Sequence, residues 1–249
     1  MTSNPIDSLT VREAIRSRPL AVGVLEEISG GSFWNRLDTP MGEFCRNAKV
    51  NLNELHARIS SLPVNLERQD WKGLPLYFLV DHLTANHREF RRRDLPNIHR
   101  MLEALRLEIP SAQATLSELI SELTSFRQEF SWHMEEEEEF LYPKILRTEA
   151  SMRHPDLYPE IFKGSVTMFT KVQIHAPEDS FHALVASIFV RLKNAVSDIS
   201  QIPLIQETLG GIQSFEARLR AHTYVESEIL FPRATAMETL LLQRAAQCV

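Results

Sequence analysis

Two short stretches of this sequence carry the same polar pair in the same setting. SWHMEEEEEFLYP (131–143) holds His133 and Glu137, and AHTYVESEILFP (221–232) holds His222 and Glu226. A histidine and a glutamate at i and i+4 project side by side from one helix face. Imidazole with carboxylate is a ligand set that suits iron, zinc or manganese. Two such pairs facing each other could hold two metals, with the carboxylates free to bridge them. The order is not H-E-x-x-H, so a zinc-protease reading has no support.

The stripes on which these pairs lie are apolar. Leu116, Leu119, Leu123, Phe126, Phe130, His133, Glu137 and Leu141 follow one another in steps of three or four. They therefore share a helix face, and a face rich in leucine and phenylalanine points inward. Of the five consecutive glutamates, Glu137 alone continues this stripe. Glu135, Glu136, Glu138 and Glu139 fall on the polar side at about 100° per residue. A second stripe runs Ile205, Leu209, Ile212, Phe215, Leu219, His222, Glu226, Leu230. Phe126, Phe130, His133, Glu137, Leu141 and Pro143 map onto Phe215, Leu219, His222, Glu226, Leu230 and Pro232 with a constant offset of 89 residues. A buried carboxylate without a partner is costly, so each glutamate is expected to be protonated, paired or metal-bound. The pairs also reverse the E-x-x-H order of ferritin-like di-iron bundles.

Further ligands must come from other helices. His182 lies on the stripe His182, Val185, Phe189, Leu192, Val196, which is core-facing, whereas His175 sits in less helical sequence two residues before Pro177. In the first long helix the choice is open. His87 shares a stripe with Val80, Leu83 and Phe90, while His82 shares one with Leu79 and then polar residues. Periodicity favours His87.

These residues need four long helices to position them, and the pattern supplies four. The first spans roughly 76–107 with a bend near Pro96, the second about 112–147. The third begins near Pro177, where Glu178 and Asp179 suit a helix N-terminus, and ends before Pro203. The fourth covers about 204–236. The segment 148–176 carries several breakers. Upstream, helical stretches over 10–28 and 40–62 precede SLPVNLERQDWKGLP (61–75), which reads as a linker. The expected fold is all-α: a small helical N-terminal domain over 1–62, a linker over 63–75 and a four-helix bundle over 76–240.

The composition narrows the classes. A chain of 249 residues with 43% hydrophobic and 24% charged residues can bury a full core. A net charge of −6 argues against general nucleic-acid or anionic-membrane binding. No apolar run reaches the length of a membrane span, and the first residues lack the apolar core of a secretory signal. Two cysteines far apart, Cys45 and Cys248, make neither a disulfide framework nor a thiolate site, which points to a reducing cytoplasm. Phosphate-cradling loops and G-x-S-x-G are absent, and no residue stands out as a general acid or base for organic substrates.

Taken together, DHL (81–83) with LP (95–96), HMEEEEEFLYP (133–143), HALVASIFVRLK (182–193) and HTYVESEILFP (222–232) resemble the hemerythrin-like domain of the di-iron iron–sulfur-cluster repair proteins, the RIC or YtfE family. TVREAIRSRPLAVGVLEEI resembles the start of that family's short N-terminal domain, and DWKGLPL its linker. The resemblance implies a hemerythrin-like bundle holding two iron ions with ligands His82, His133, Glu137, His182, His222 and Glu226. Glu137 and Glu226 would bridge the irons, and His82, following Asp81, would take precedence over His87. It also implies a small diatomic ligand, O2 or NO, and iron–sulfur proteins as partners. Two departures stand out. The stretch ISGGSFWNRL lacks the family's adjacent cysteines, and Phe181 stands where an acidic residue usually precedes the third-helix histidine.

Three functional classes follow: iron–sulfur cluster repair under nitrosative or oxidative stress, reversible O2 or NO binding or sensing, and a metal-free helical interaction module. The last would treat His133, His182 and His222 as core histidines hydrogen-bonded to Glu137 and Glu226. His56, His99 and His154 read as surface or loop histidines, with His87 a candidate for the same group. REFRRRD (88–94) reads as a solvated basic turn able to dock an acidic partner.

Overall fold

Thr10 starts the first helix by a capping box. Its hydroxyl accepts from the Glu13 amide, and the Glu13 carboxylate accepts in return from the Thr10 amide at 2.7 Å. The computed structural model describes residues 9–18, 20–29, 32–61, 71–154, 176–197 and 202–247. Within them the fold is all-α, with an isolated bridge between Thr10 and Pro40 and no β-strand.

The α-helices are α1 (Val11–Ser17), α2 (Ala21–Ser29), α3 (Met41–Ala48), α4 (Leu52–Ser60), α5 (Leu76–Glu89), α6 (Leu95–Glu108), α7 (Gln113–Glu136), α8 (Tyr142–Arg153), α9 (Ala176–Ala195), α10 (Pro203–Val225) and α11 (Phe231–Gln247). The stretch expected as one helix over 40–62 divides at Lys49, whose φ of 56° places it in the left-handed region. Asn51 then caps α4, accepting from the amides of Asn53 and Glu54. Most of the expected linker, residues 62–70, lies outside the described residues, as do His175 and Cys248.

Among the described residues three π-turns interrupt the long helices: Phe90–Asp94, Glu137–Leu141 and Glu226–Leu230. Each precedes an X-Pro step, Leu95-Pro96, Tyr142-Pro143 or Phe231-Pro232. A proline inside a helix has no amide to donate, and its ring crowds the carbonyl four residues back. One wider i→i+5 turn ahead of it relieves the clash and keeps the chain helical. The bend expected near Pro96 is this turn, and the second and fourth helical paths continue through theirs to Arg153 and Gln247.

The described residues group into two compact units, one made of those that fall within 1–84, 137–168 and 229–249, the other of those within 85–136 and 169–228. In the second, α6 packs on α7, α7 on α9, α9 on α10 and α10 on α6, a closed four-helix bundle. Its core runs from Leu102, Leu105, Leu116 and Leu119 to a group of phenylalanines, Phe90, Phe126, Phe130, Phe181 and Phe215. Their rings meet largely edge to face, with Phe126–Phe181 centroids 5.5 Å apart and Phe130–Phe181 5.2 Å apart. Asp94, buried at the end of the first π-turn, receives Arg218 of α10 at 2.6 Å and Arg93 at 3.1 Å, so the basic turn REFRRRD is partly committed to the bundle itself.

In the first unit, Glu149 of α8 caps α5: its Oε1 accepts from the Leu76 amide at 2.7 Å. Arg153 lies 2.9 Å from Glu26 and 3.5 Å from Glu149. Arg12 pairs with Asp38 through two nitrogens, at 2.8 and 3.1 Å. Among the described residues, no helix is long and apolar enough to cross a membrane.

Candidate metal centre

His222 lies on the buried face of α10, continuing Ile212, Phe215 and Leu219 as the stripe requires. One turn on, at the first residue of the third π-turn, stands Glu226, which is 1% exposed. The Nε2 atom of His222 is 3.2 Å from a Glu226 carboxylate oxygen. The same Nε2 faces Nε2 of His87 at 3.2 Å, with ring centroids 4.9 Å apart. His87, His222 and Glu226 each offer a ligand atom within 4.8 Å of the others, all buried.

The donor set tests itself. A contact between two imidazole nitrogens needs one to donate and the other to accept, and the same His222 nitrogen also faces a carboxylate that only accepts when ionised. One proton satisfies one of these two contacts, whereas a cation at their meeting point satisfies all three groups. The residues therefore fit a divalent metal of the borderline class. His87 is suited to ligation. Its burial, and then the repulsion of His222, Arg91, His133 and Arg88, hold its pKa well below the ordinary imidazole range, so the ring is neutral with a lone pair available. Phe90 sets its ring edge-on to His222 at 5.5 Å, walling the site with apolar surface.

Beside this cluster is a cavity of about 10 Å3. Phe130, Phe181 and Leu219 form its apolar wall, and His133, His222, Glu226 and Thr223 its polar side. His133 is half-buried with its ring 5.6 Å from that of Phe181, and Nε2 of His182 lies 3.2 Å from the Thr223 hydroxyl. Four of the six ligands named from the resemblance, His133, His182, His222 and Glu226, thus gather around one cavity or its immediate lining.

His82 is half-buried, its ring tilted against Trp71 with centroids 4.5 Å apart, and the histidine beside His222 is His87. The cause is the stripe that periodicity favours: Val80, Leu83, His87 and Phe90 are all at most 1% exposed. His87 is fully buried, so it does not belong with the surface or loop histidines. Glu137 is buried, four residues after His133 at the first position of its π-turn, the position that Glu226 occupies after His222.

One expectation about the glutamate run is overturned. Glu135, Glu136 and Glu139 are exposed as the periodicity requires, but Glu138 is buried, at 8% exposure. The π-turn advances less angle per residue than an α-turn, so Glu138 stays nearer the inward face. For the same reason Leu141 is only half-buried while Tyr142 is fully buried. The matching prolines at 96, 143 and 232 were the sequence signal for these turns. Thr223, next to His222, had no periodic signal at all.

No protein-family model matches the chain. It is 24% identical over 196 residues to the iron-sulfur cluster repair protein YtfE of Escherichia coli O81 (strain ED1a), covering 76% of this chain and 80% of the relative. The proteins of the same name from Citrobacter koseri and Escherichia fergusonii match with the same identity and coverage. The chain is thus a distant relative of iron–sulfur cluster repair proteins over most of its length.

Proposed function

We propose that this chain is a non-haem di-iron protein of hemerythrin-like type that acts in iron–sulfur cluster repair and the response to nitric oxide or oxidative stress. The observation that carries the reading is the convergence of the His87 and His222 Nε2 atoms with the Glu226 carboxylate in a buried, apolar-walled site. The distant similarity to repair proteins supports iron as the metal and repair as the role.

In this reading His133, His182, His222, Glu137 and Glu226 are ligands. The sixth comes from α5, and we assign it to His87 on its contact with His222 rather than to His82. The internal repeat supports Glu137 as the counterpart of Glu226, the two being the candidate bridges. When bound, the iron pair would supply redox capacity and an open coordination position for O2 or NO. The residues' own part is to present imidazole nitrogens, to balance cationic charge with two buried carboxylates, and to exclude water with Phe90, Phe130 and Phe181. The missing cysteine pair in ISGGSFWNRL favours a second reading, reversible O2 or NO binding or sensing without repair.

Metal analysis of protein purified aerobically and anaerobically, with its optical spectrum, tests the first part. About two irons per chain and an oxo-bridge band are expected. Folded, iron-free protein that takes up no iron on reconstitution would overturn it. Recovery of activity by a damaged iron–sulfur enzyme separates the readings: recovery supports repair, and iron-loaded protein that gives none leaves binding or sensing.

A further inference from the structure

Among the described residues lining the 10 Å3 cavity, Thr223 is the one polar side chain that is not a candidate ligand. The cavity has room for about one water-sized group. We propose that the Thr223 hydroxyl is a hydrogen-bond donor to the small ligand taken up there, and so sets how firmly a polar diatomic is held. The inference rests on the metal-centre reading and adds to it a residue that tunes selectivity.

Three observations support it. The Thr223 hydroxyl is turned toward the cluster, 3.2 Å from His182 Nε2, instead of toward solvent like the exposed Tyr224. Ser227 donates its hydroxyl to the Thr223 carbonyl, tying down the helix at the entry to its π-turn. The remaining non-ligand lining, Phe130, Phe181 and Leu219, offers no hydrogen bond to a guest. A His182 Nε2 that gives its lone pair to a metal has none left to accept with. The Thr223 proton is then available to a guest in the cavity. Within such apolar walls a single hydrogen bond to a guest carrying partial negative charge is worth more than in water.

The test uses the full chain loaded with iron and nitric oxide as the probe, under anaerobic conditions. The N–O stretching frequency is read by infrared spectroscopy, and the release rate by trapping with a scavenger. Thr223→Val keeps the shape and removes the donor, Thr223→Ala removes both, and Thr223→Ser restores the donor. At equal iron content, Val and Ala are expected to shift the stretch and release the ligand roughly five- to tenfold faster, with Ser close to wild type. Identical stretch and release rate in wild type and Thr223→Val overturn the inference and leave the metal centre standing. If Val and Ala fold but lose iron, Thr223 positions His182, and the donor role is overturned. Wild-type protein that takes up no iron removes the metal-centre reading and this inference together.

Discussion

The Nε2 atoms of His87 and His222 face each other at 3.2 Å across the bundle, although 135 residues separate them in the chain. The same His222 nitrogen also lies 3.2 Å from a Glu226 carboxylate oxygen, and a shared cation would satisfy all three groups. His87→Ala is therefore expected to remove a large share of bound iron, and His82→Ala, beside Trp71, to leave it unchanged. Elemental analysis of the two purified variants decides the matter. The opposite result would return the ligand role to His82.

The glutamate run gives a position-by-position test. Glu226 is 1% exposed and Glu137 3% exposed, while Glu136 and Glu228 are exposed on the same two helical paths. Glu137→Ala and Glu226→Ala are expected to lower iron content strongly, and Glu136→Ala and Glu228→Ala to leave it at the wild-type level. Equal iron in all four variants would remove both carboxylates from the ligand set.

Stability at one end of α5 depends on pH through Glu149. Burial pushes its carboxyl pKa up, against the lowering effect of the Leu76 amide and Arg153. A raised folded-state pKa means that the folded form prefers the proton more than the unfolded form does. The favourable contribution is complete at low pH and is lost as pH rises through the folded pKa, above the ordinary carboxylate range. Glu149→Gln keeps an oxygen to accept from Leu76 but does not titrate. Denaturation midpoints over that pH range should therefore fall for wild type relative to Glu149→Gln as pH increases. A constant difference between the two would contradict the argument.

Two glycines in the interior of α10 offer a stability test that leaves the site alone. A Cβ added at Gly210 would meet nothing within 4 Å, whereas one at Gly211 would come 2.9 Å from the Met101 methyl carbon. Glycine to alanine inside a helix gains about 1 kcal/mol from backbone entropy. Gly210→Ala is expected to deliver most of that in urea unfolding. Gly211→Ala should deliver less, since the flexible end of Met101 must move aside.

A core truncation measures how far the phenylalanine wall supports the bundle. Phe126 is 1% exposed and touches Phe130, Phe181 and Phe215. Phe126→Ala should cost about 3–5 kcal/mol, read from the shift in the unfolding midpoint. A loss below ~1 kcal/mol would mean that the neighbouring rings close the gap unaided.

Periodicity determined a good deal of this protein without a structure. Steps of three and four put His133, His182, His222, Glu137 and Glu226 on inward stripes, because a helix repeats every 3.6 residues and leucines and phenylalanines must leave water. It also favoured His87, whose neighbours Val80, Leu83 and Phe90 are buried with it. What it could not determine was where the period itself changes. A uniform 100° step points Glu138 to solvent, but a proline downstream favours a π-turn, and the slower rotation turns Glu138 inward. Between His82 and His87 periodicity leans to His87, although each lies on some helical stripe. The tertiary structure adds that His87 stands against His222 and His82 against Trp71. Thr223 belongs wholly to the tertiary structure: its neighbour His182 is 41 residues away, and no local pattern marks a hydroxyl that another helix turns toward a cavity.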